Sequence, residues 1–154
     1  MDPHLQSLLD KAAIRDLAYT YSHAIDRRDW KLMETCFAPD GDFILGDAVY
    51  AKNRAEYIHV VQGIERYHKT THFNGNHLSD VTGNTATAET YVVASHFYRQ
   101  DGQEKSYIMG IRYLDTLAKE NGKWVFKRRQ VAVDWEQGVG TPNPRRSTPT
   151  FPSR

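Results

Sequence analysis

Apolar residues recur at helical spacing over the first 26 positions and at strand spacing beyond residue 70. Leu5, Leu8, Leu9, Ala12, Ala13, Leu17, Tyr21, Ala24 and Ile25 fall on one stripe, which predicts an amphipathic helix over residues 5–26. Asp29 is placed to cap a short second helix carrying Trp30, Leu32, Met33 and Phe37, and Pro39-Asp40-Gly41 reads as the turn that ends it. Residues 42–45 and 48–51 flank Gly46-Asp47 as a small hairpin. Asn53-Arg54-Ala55-Glu56 has the form of a capping box and opens a third helix through about Tyr67.

Beyond Thr70 the runs are rich in Thr, Val, Tyr and Phe and are separated by Gly83-Asn84, Asp101-Gly102 and Asn121-Gly122. They predict four successive antiparallel strands over 71–81, 85–100, 103–119 and 123–135. The two middle strands are long enough to twist and bend. Helices first and a meander last give an α+β fold: a curved antiparallel sheet wrapped around the long N-terminal helix, forming a cone with an apolar interior. The domain is expected to span 1–137. Residues 138–154 hold four of the six prolines and are expected to form an irregular tail over a neighbouring subunit or the pocket mouth.

Composition narrows the function classes. Twenty basic and nineteen acidic side chains leave a net charge of +1, with no basic block for nucleic acid or an anionic membrane. There is neither an apolar run long enough for a membrane helix nor a signal-peptide pattern, and Cys36 is the single cysteine. A cytoplasmic protein is therefore expected. His-x-His pairs and a glycine-rich phosphate loop are missing and Cys36 is isolated, so neither a metal nor a nucleotide cofactor is expected.

The candidate chemistry lies in Asp26, His72, His96 and Arg129. Strand alternation puts His96 on one face with Ala86, Ala88, Thr90, Val92, Ala94 and Tyr98, leaving space near its imidazole. The same alternation puts Arg129 with Val125, Val131, Val133 and Trp135, as a snorkelling residue or as a buried charge for which Asp26 is a natural partner. His77 is expected to face away from His72. A histidine titrates near neutrality and can take and return a proton. An aspartate on its other ring nitrogen fixes the tautomer and stabilises the imidazolium. A second histidine, a tyrosine or an arginine can steady developing negative charge.

These elements and motifs resemble the SnoaL-like and scytalone dehydratase-like branch of the nuclear transport factor 2-like superfamily over residues 5–136. Asp26-Arg27-Arg28-Asp29-Trp30 is similar to the Asp-x-x-Asp-Trp of scytalone dehydratases, His72-Phe73-Asn74-Gly75 to their His-Phe-x-Gly, and His96 to their second catalytic histidine. Asp26 with His72 resembles the Asp–His dyad of hexachlorocyclohexane dehydrochlorinase, and Arg129 its active-site arginine. Tyr21 with Asp26 resembles the Tyr-x4-Asp of bile acid dehydratases. Ile25 stands where scytalone dehydratases carry a tyrosine, and their hairpin tyrosine has no clear counterpart.

The resemblance implies a cofactor-independent lyase, a dehydratase before a carbon–carbon lyase. His72 would be the base oriented by Asp26, and His96 would assist the leaving group or return the proton. Arg129 would pair with Asp26 or steady charge, and Tyr21 would polarise a substrate oxygen. Phe43, Tyr50, Phe73, Tyr98, Tyr113 and Trp135 would line a site for a planar aromatic or polycyclic substrate. Deformylation of a lignin-type diarylpropane diol, ketosteroid-type isomerisation and non-catalytic ligand binding stand as alternatives. The outer sheet face is expected to be too apolar to remain wet, so an oligomer is expected, with the resemblance favouring a trimer over a dimer.

Overall fold

The computed structural model describes residues 2–141. Helix α1 spans Pro3–Arg27, with Asp2 capping its first turn and proline in that turn, where no intrahelical N–H bond is lost. Helix α2 (Trp30–Cys36) starts at Asp29, whose carboxylate accepts from the Leu32 N–H. Strands β1 (Phe37–Leu45) and β2 (Ala48–Ala51) form the first hairpin. Helix α3 (Arg54–Val61) is capped by Asn53, which accepts from the Glu56 N–H as the capping-box pattern requires. It tightens into a 3₁₀ turn over Gln62–Arg66, so the α-helix ends before the expected Tyr67.

Four long strands follow: β3 (Lys69–Thr82), β4 (Thr85–Gln100), β5 (Gln103–Glu120) and β6 (Lys123–Gly138). The sheet is curved, six-stranded and not closed, in the order β2-β1-β6-β5-β4-β3. The meander is antiparallel as expected, but β1 lies parallel to β6. Pro39-Asp40-Gly41 is not a terminating turn. It lies inside β1, where the pairing with β6 slips between Phe37 and Asp42. Gly41 permits the approach: a Cβ there would sit 2.7 Å from the Phe126 carbonyl oxygen.

The concave face holds the core. Ile14, Ala18, Tyr21, Ala24 and Ile25 of α1 are buried, as are Phe37, Tyr113, Leu117, Phe126 and Val131 on the strands. Burying a side chain such as Phe126 contributes about 1.5–3 kcal/mol. Polar contacts fix where α1 lies along the sheet. Near its start, Asp10 Oδ1 accepts from Lys119 Nζ at 2.6 Å and Trp124 Nε1 at 2.9 Å. Near its end, Ser22 Oγ donates to Asn74 Oδ1 at 3.0 Å, and Asn74 Nδ2 donates to the Ala18 carbonyl at 3.2 Å. Among the described residues no helix is long and apolar enough to cross a membrane.

Bulges overturn three expectations about which way side chains face. In β3 the register shifts between Asn74 and His77, so His72 pairs Ala94, Asn74 pairs Val92 and His77 pairs Thr90. His77 therefore shares the inner face with His72. In β6 the pairing slips on both sides of Arg129: Leu117 pairs Phe126 while Thr116 pairs Arg128, and Ile111 pairs Val133 while Gly110 pairs Trp135. Val125 and Trp135 thus leave the face of Arg129, and Phe126 joins it. The tail beyond Thr141 lies outside the described residues. Just before it, Val139 and Thr141 lie over the sheet end, where Tyr98 donates to the Val139 carbonyl at 2.8 Å and Arg66 Nε to the Thr141 carbonyl at 2.9 Å.

Candidate active site

The end of α1 brings Asp26 against the start of β3. His72 Nδ1 lies 2.7 Å from Asp26 Oδ1, and the His72 backbone N–H donates to Oδ2 at 2.8 Å. The Thr70 hydroxyl adds a third bond, 2.9 Å from Oδ1. Because a carboxylate only accepts, His72 Nδ1 carries a proton, and in the neutral ring the lone pair is therefore on Nε2. The His72 side chain is 5% exposed and that of Asp26 20%. Burial pushes the Asp26 carboxyl up, but the bonds and charge of His72, with the Thr70 bond, outweigh it and hold the group below the usual carboxylate range.

His96 stands beside this pair. Thr70 is its register partner on β3, and its ring centroid lies 5.6 Å from that of His72, edge to face. Its Nδ1 lies 3.2 Å from the Tyr107 carbonyl, an acceptor, which places the proton on Nδ1 and the lone pair on Nε2. Burial and the neighbouring His72 push its pKa down to about 4. His96 is thus neutral at pH 7. Tyr67 packs against it with centroids 4.9 Å apart. The Tyr107 ring is 5.7 Å away, and its hydroxyl donates to Glu136 at 2.6 Å.

Arg129 does not join Asp26. It is fully buried and pairs in fork geometry with Asp115, Nε to Oδ1 at 2.8 Å and Nη2 to Oδ2 at 2.7 Å. The two residues are cross-strand partners of β5 and β6, so register alone brings them together. The guanidinium carbon sits 4.1, 4.0 and 3.9 Å from the ring centres of Tyr21, Tyr113 and Phe126. Tyr21 belongs to this deeper layer, its hydroxyl 2.5 Å from that of Tyr57.

The expected lining residues divide. Tyr113 lies on Arg129, Phe43 stacks on Tyr57 at 4.5 Å with Tyr50 behind it, and Tyr98 lies 6.0 Å from Tyr67 near His96. Phe73 and Trp135 are instead on the convex face, 71% and 48% exposed, and stand apart from the dyad. Trp135 lies flat on Gly110, where a Cβ would meet the indole at 2.0 Å. Among the described residues no three His, Cys, Asp or Glu side chains converge as a metal site would require.

Asp115, Thr70, Arg28, Tyr67 and Tyr107 were not singled out from the sequence. Asp115 carried a usable signal, a lone carboxylate two residues from both Tyr113 and Leu117 on an inward-facing run.

The chain is thus a helix-backed curved sheet that holds a carboxylate–imidazole pair where α1 ends against β3. The chain belongs to the SnoaL-like family, whose domain matches residues 6–130. No curated protein matches the chain. Among solved structures it is similar to a candidate scytalone dehydratase from Novosphingobium aromaticivorans, with 25% identity, TM-score 0.80 and coverage of 89% of this chain and 92% of that one. It shares its fold with hexachlorocyclohexane dehydrochlorinase LinA-type3 from Novosphingobium barchaimii, with 18% identity, TM-score 0.76 and coverage of 96% and 99%. A cystatin-like protein of unknown function from Nostoc punctiforme matches at 26% identity and TM-score 0.68, covering 82% of this chain and 92% of that one.

Proposed function

We propose that this protein is a cofactor-independent lyase that eliminates water from a hydroxylated aromatic or polycyclic small molecule. The observation that carries the reading is the buried His72 ring, held by Asp26 through both its Nδ1–H and its backbone N–H, with Nε2 left as a base. Similarity to a candidate scytalone dehydratase agrees with it.

In this scheme His72 Nε2 takes a proton from a carbon next to a carbonyl or an activated ring. The electron pair of that C–H bond forms the new double bond as the C–O bond to the leaving hydroxyl breaks. The imidazolium, stabilised by Asp26, returns its proton to the departing oxygen, so water leaves and the base is restored. A neutral His96 with its Nδ1–H committed to the Tyr107 carbonyl offers a lone pair rather than a proton. Its role is to accept a substrate hydroxyl, and proton return falls to His72. Arg129 acts through Tyr21 and Tyr113 as the buried footing of the site rather than as a partner of Asp26.

The convex face supports the companion proposal of a homo-oligomer. Phe73, Leu78, Tyr91, Val93 and Trp135 are exposed there, an apolar surface suited to a second copy. The test of the activity is incubation with a panel of hydroxylated aromatic ketones and mass detection. Loss of 18 Da by about one water per turnover supports the elimination; stoichiometric binding with no mass change across the panel sinks it.

A further inference from the structure

The residue after α1, Arg28, has φ 59° and ψ 30°, a left-handed conformation that non-glycine residues disfavour. Such backbone at the edge of a candidate site invites a question about what it positions. Here it turns the side chain back beneath its own helix end. Nη1 donates to the Ile25 carbonyl at 2.6 Å and to Thr70 Oγ1 at 2.7 Å, and Nη2 donates to the Tyr67 carbonyl at 3.0 Å. One guanidinium thereby ties together the end of α1, the exit of the 3₁₀ turn and the start of β3.

The direction of the bonds is fixed by chemistry. Arginine only donates and an ionised carboxylate only accepts. Thr70, which is buried, receives from Arg28 and must therefore turn its own proton to Asp26 Oδ1, 2.9 Å away. That same oxygen accepts the His72 Nδ1–H. The result is a one-way chain from Arg28 through Thr70 to Asp26, meeting His72 at a single oxygen.

We infer that Arg28 and Thr70 are positioning residues of the Asp26–His72 pair: Arg28 locks the rotor of the Thr70 hydroxyl, and that hydroxyl holds the carboxylate in the orientation that serves the ring and the backbone of His72 together. Neither is hydrogen-bonded to the histidine ring. The kinetic consequence rests on the proposed lyase reading; the spectroscopic one does not.

The test uses the full chain and reads the His72 ring by ¹⁵N and ¹H NMR alongside turnover. Thr70→Val removes the donor at nearly constant shape, Thr70→Ser restores it, and Arg28→Met removes the lock. Thr70→Val and Arg28→Met should each convert the single Nδ1–H tautomer of His72 into a mixture and shift its Nδ1 proton. They should lower kcat by roughly 10- to 100-fold, the range of outer-shell partners, with KM little changed. Thr70→Ser should match the wild type, and the double variant should be no worse than the poorer single one, because the two act in series. A Thr70→Val protein with wild-type folding and an unaltered His72 ring signal overturns the inference. So does an Arg28→Met protein whose loss adds fully to that of Thr70→Val. If Arg28→Met does not fold, the valine–serine comparison at Thr70 decides alone. If the ring signals respond as stated but the wild type turns over no substrate, the lyase reading fails and the positioning stands.

Discussion

His72 and Asp26 are joined twice: the ring Nδ1 lies 2.7 Å from Oδ1 and the backbone N–H donates to Oδ2 at 2.8 Å. One carboxylate thus fixes where β3 begins and which tautomer its histidine adopts. His72→Ala should lower turnover by roughly 10²–10⁴-fold while leaving thermal unfolding nearly unchanged, because the carboxylate keeps its backbone and Thr70 bonds. Normal turnover in a folded His72→Ala protein would remove it as the base.

Asp26→Asn should differ in kind. An amide presents a donor as well as an acceptor, so the imidazole loses its fixed tautomer and the imidazolium its counter-charge. A fall in kcat of up to about 10⁴-fold is expected, with KM far less affected. If only stability falls and kcat holds, the dyad has no chemical role.

Arg129 and Asp115 lend themselves to a stability test. Arg129→Met leaves a carboxylate buried without its counter-ion and should cost about 3–5 kcal/mol in urea unfolding. Changing both, Arg129→Met with Asp115→Leu, should recover most of the loss. A double variant as unstable as the single one would show that stacking by Tyr21, Tyr113 and Phe126, rather than the ion pair, dominates.

Acid should act through His96. The folded ring titrates at about 4 against an ordinary 6.5, so between these values the unfolded chain binds the extra proton. Stability from this group is therefore complete above about pH 6.5 and declines as the pH falls toward 4, by roughly 3 kcal/mol at most. The depressed Asp26 carboxyl adds its own loss only below its ordinary value of 3.8. Unfolding midpoints of wild type and His96→Asn, measured from pH 7.5 to 4.5, should diverge, with the variant flatter. Parallel curves would assign the acid sensitivity elsewhere.

The convex face gives a prediction about assembly. If the proposed homo-oligomer forms through this face, Phe73→Glu, which places a charge among Tyr91, Val93 and Trp135, should sediment as a monomer where the wild type sediments as an oligomer, without loss of helix or sheet content. An unchanged mass would locate the contact elsewhere.

The sequence made the element order and most of the concave face legible, because periodicity and turn dipeptides are local signals. The inward set from Ala86 to His96 on β4 follows simple alternation, and β4 is paired without slippage to β5. Alternation misplaced residues only where a bulge intervenes: His77 on β3, Val125 and Trp135 on β6. Nothing in Gly75-Asn76 or Lys127-Arg128 states which residue will go unpaired. The partner of Arg129 was hidden for a related reason, since it is set by cross-strand register 14 residues away rather than by the carboxylate at the helix end. Asp26 with His72 was legible as a motif; the threonine and arginine behind it were not, because their roles depend on a left-handed residue that no local pattern demands.

The slip in β3 between Asn74 and His77 divides one strand into two phases. Upstream, the phase is set by Asp26 gripping His72; downstream, it is set by His77, whose Nδ1 lies 2.8 Å from Thr90 Oγ1. Removing one residue at Gly75-Asn76 would merge the phases and force a choice: either His72 keeps its carboxylate and the distal hairpin rolls over, or the hairpin keeps its seat and the histidine turns outward. The bulge is what lets the mouth of the cone and its far end be specified independently within a single strand.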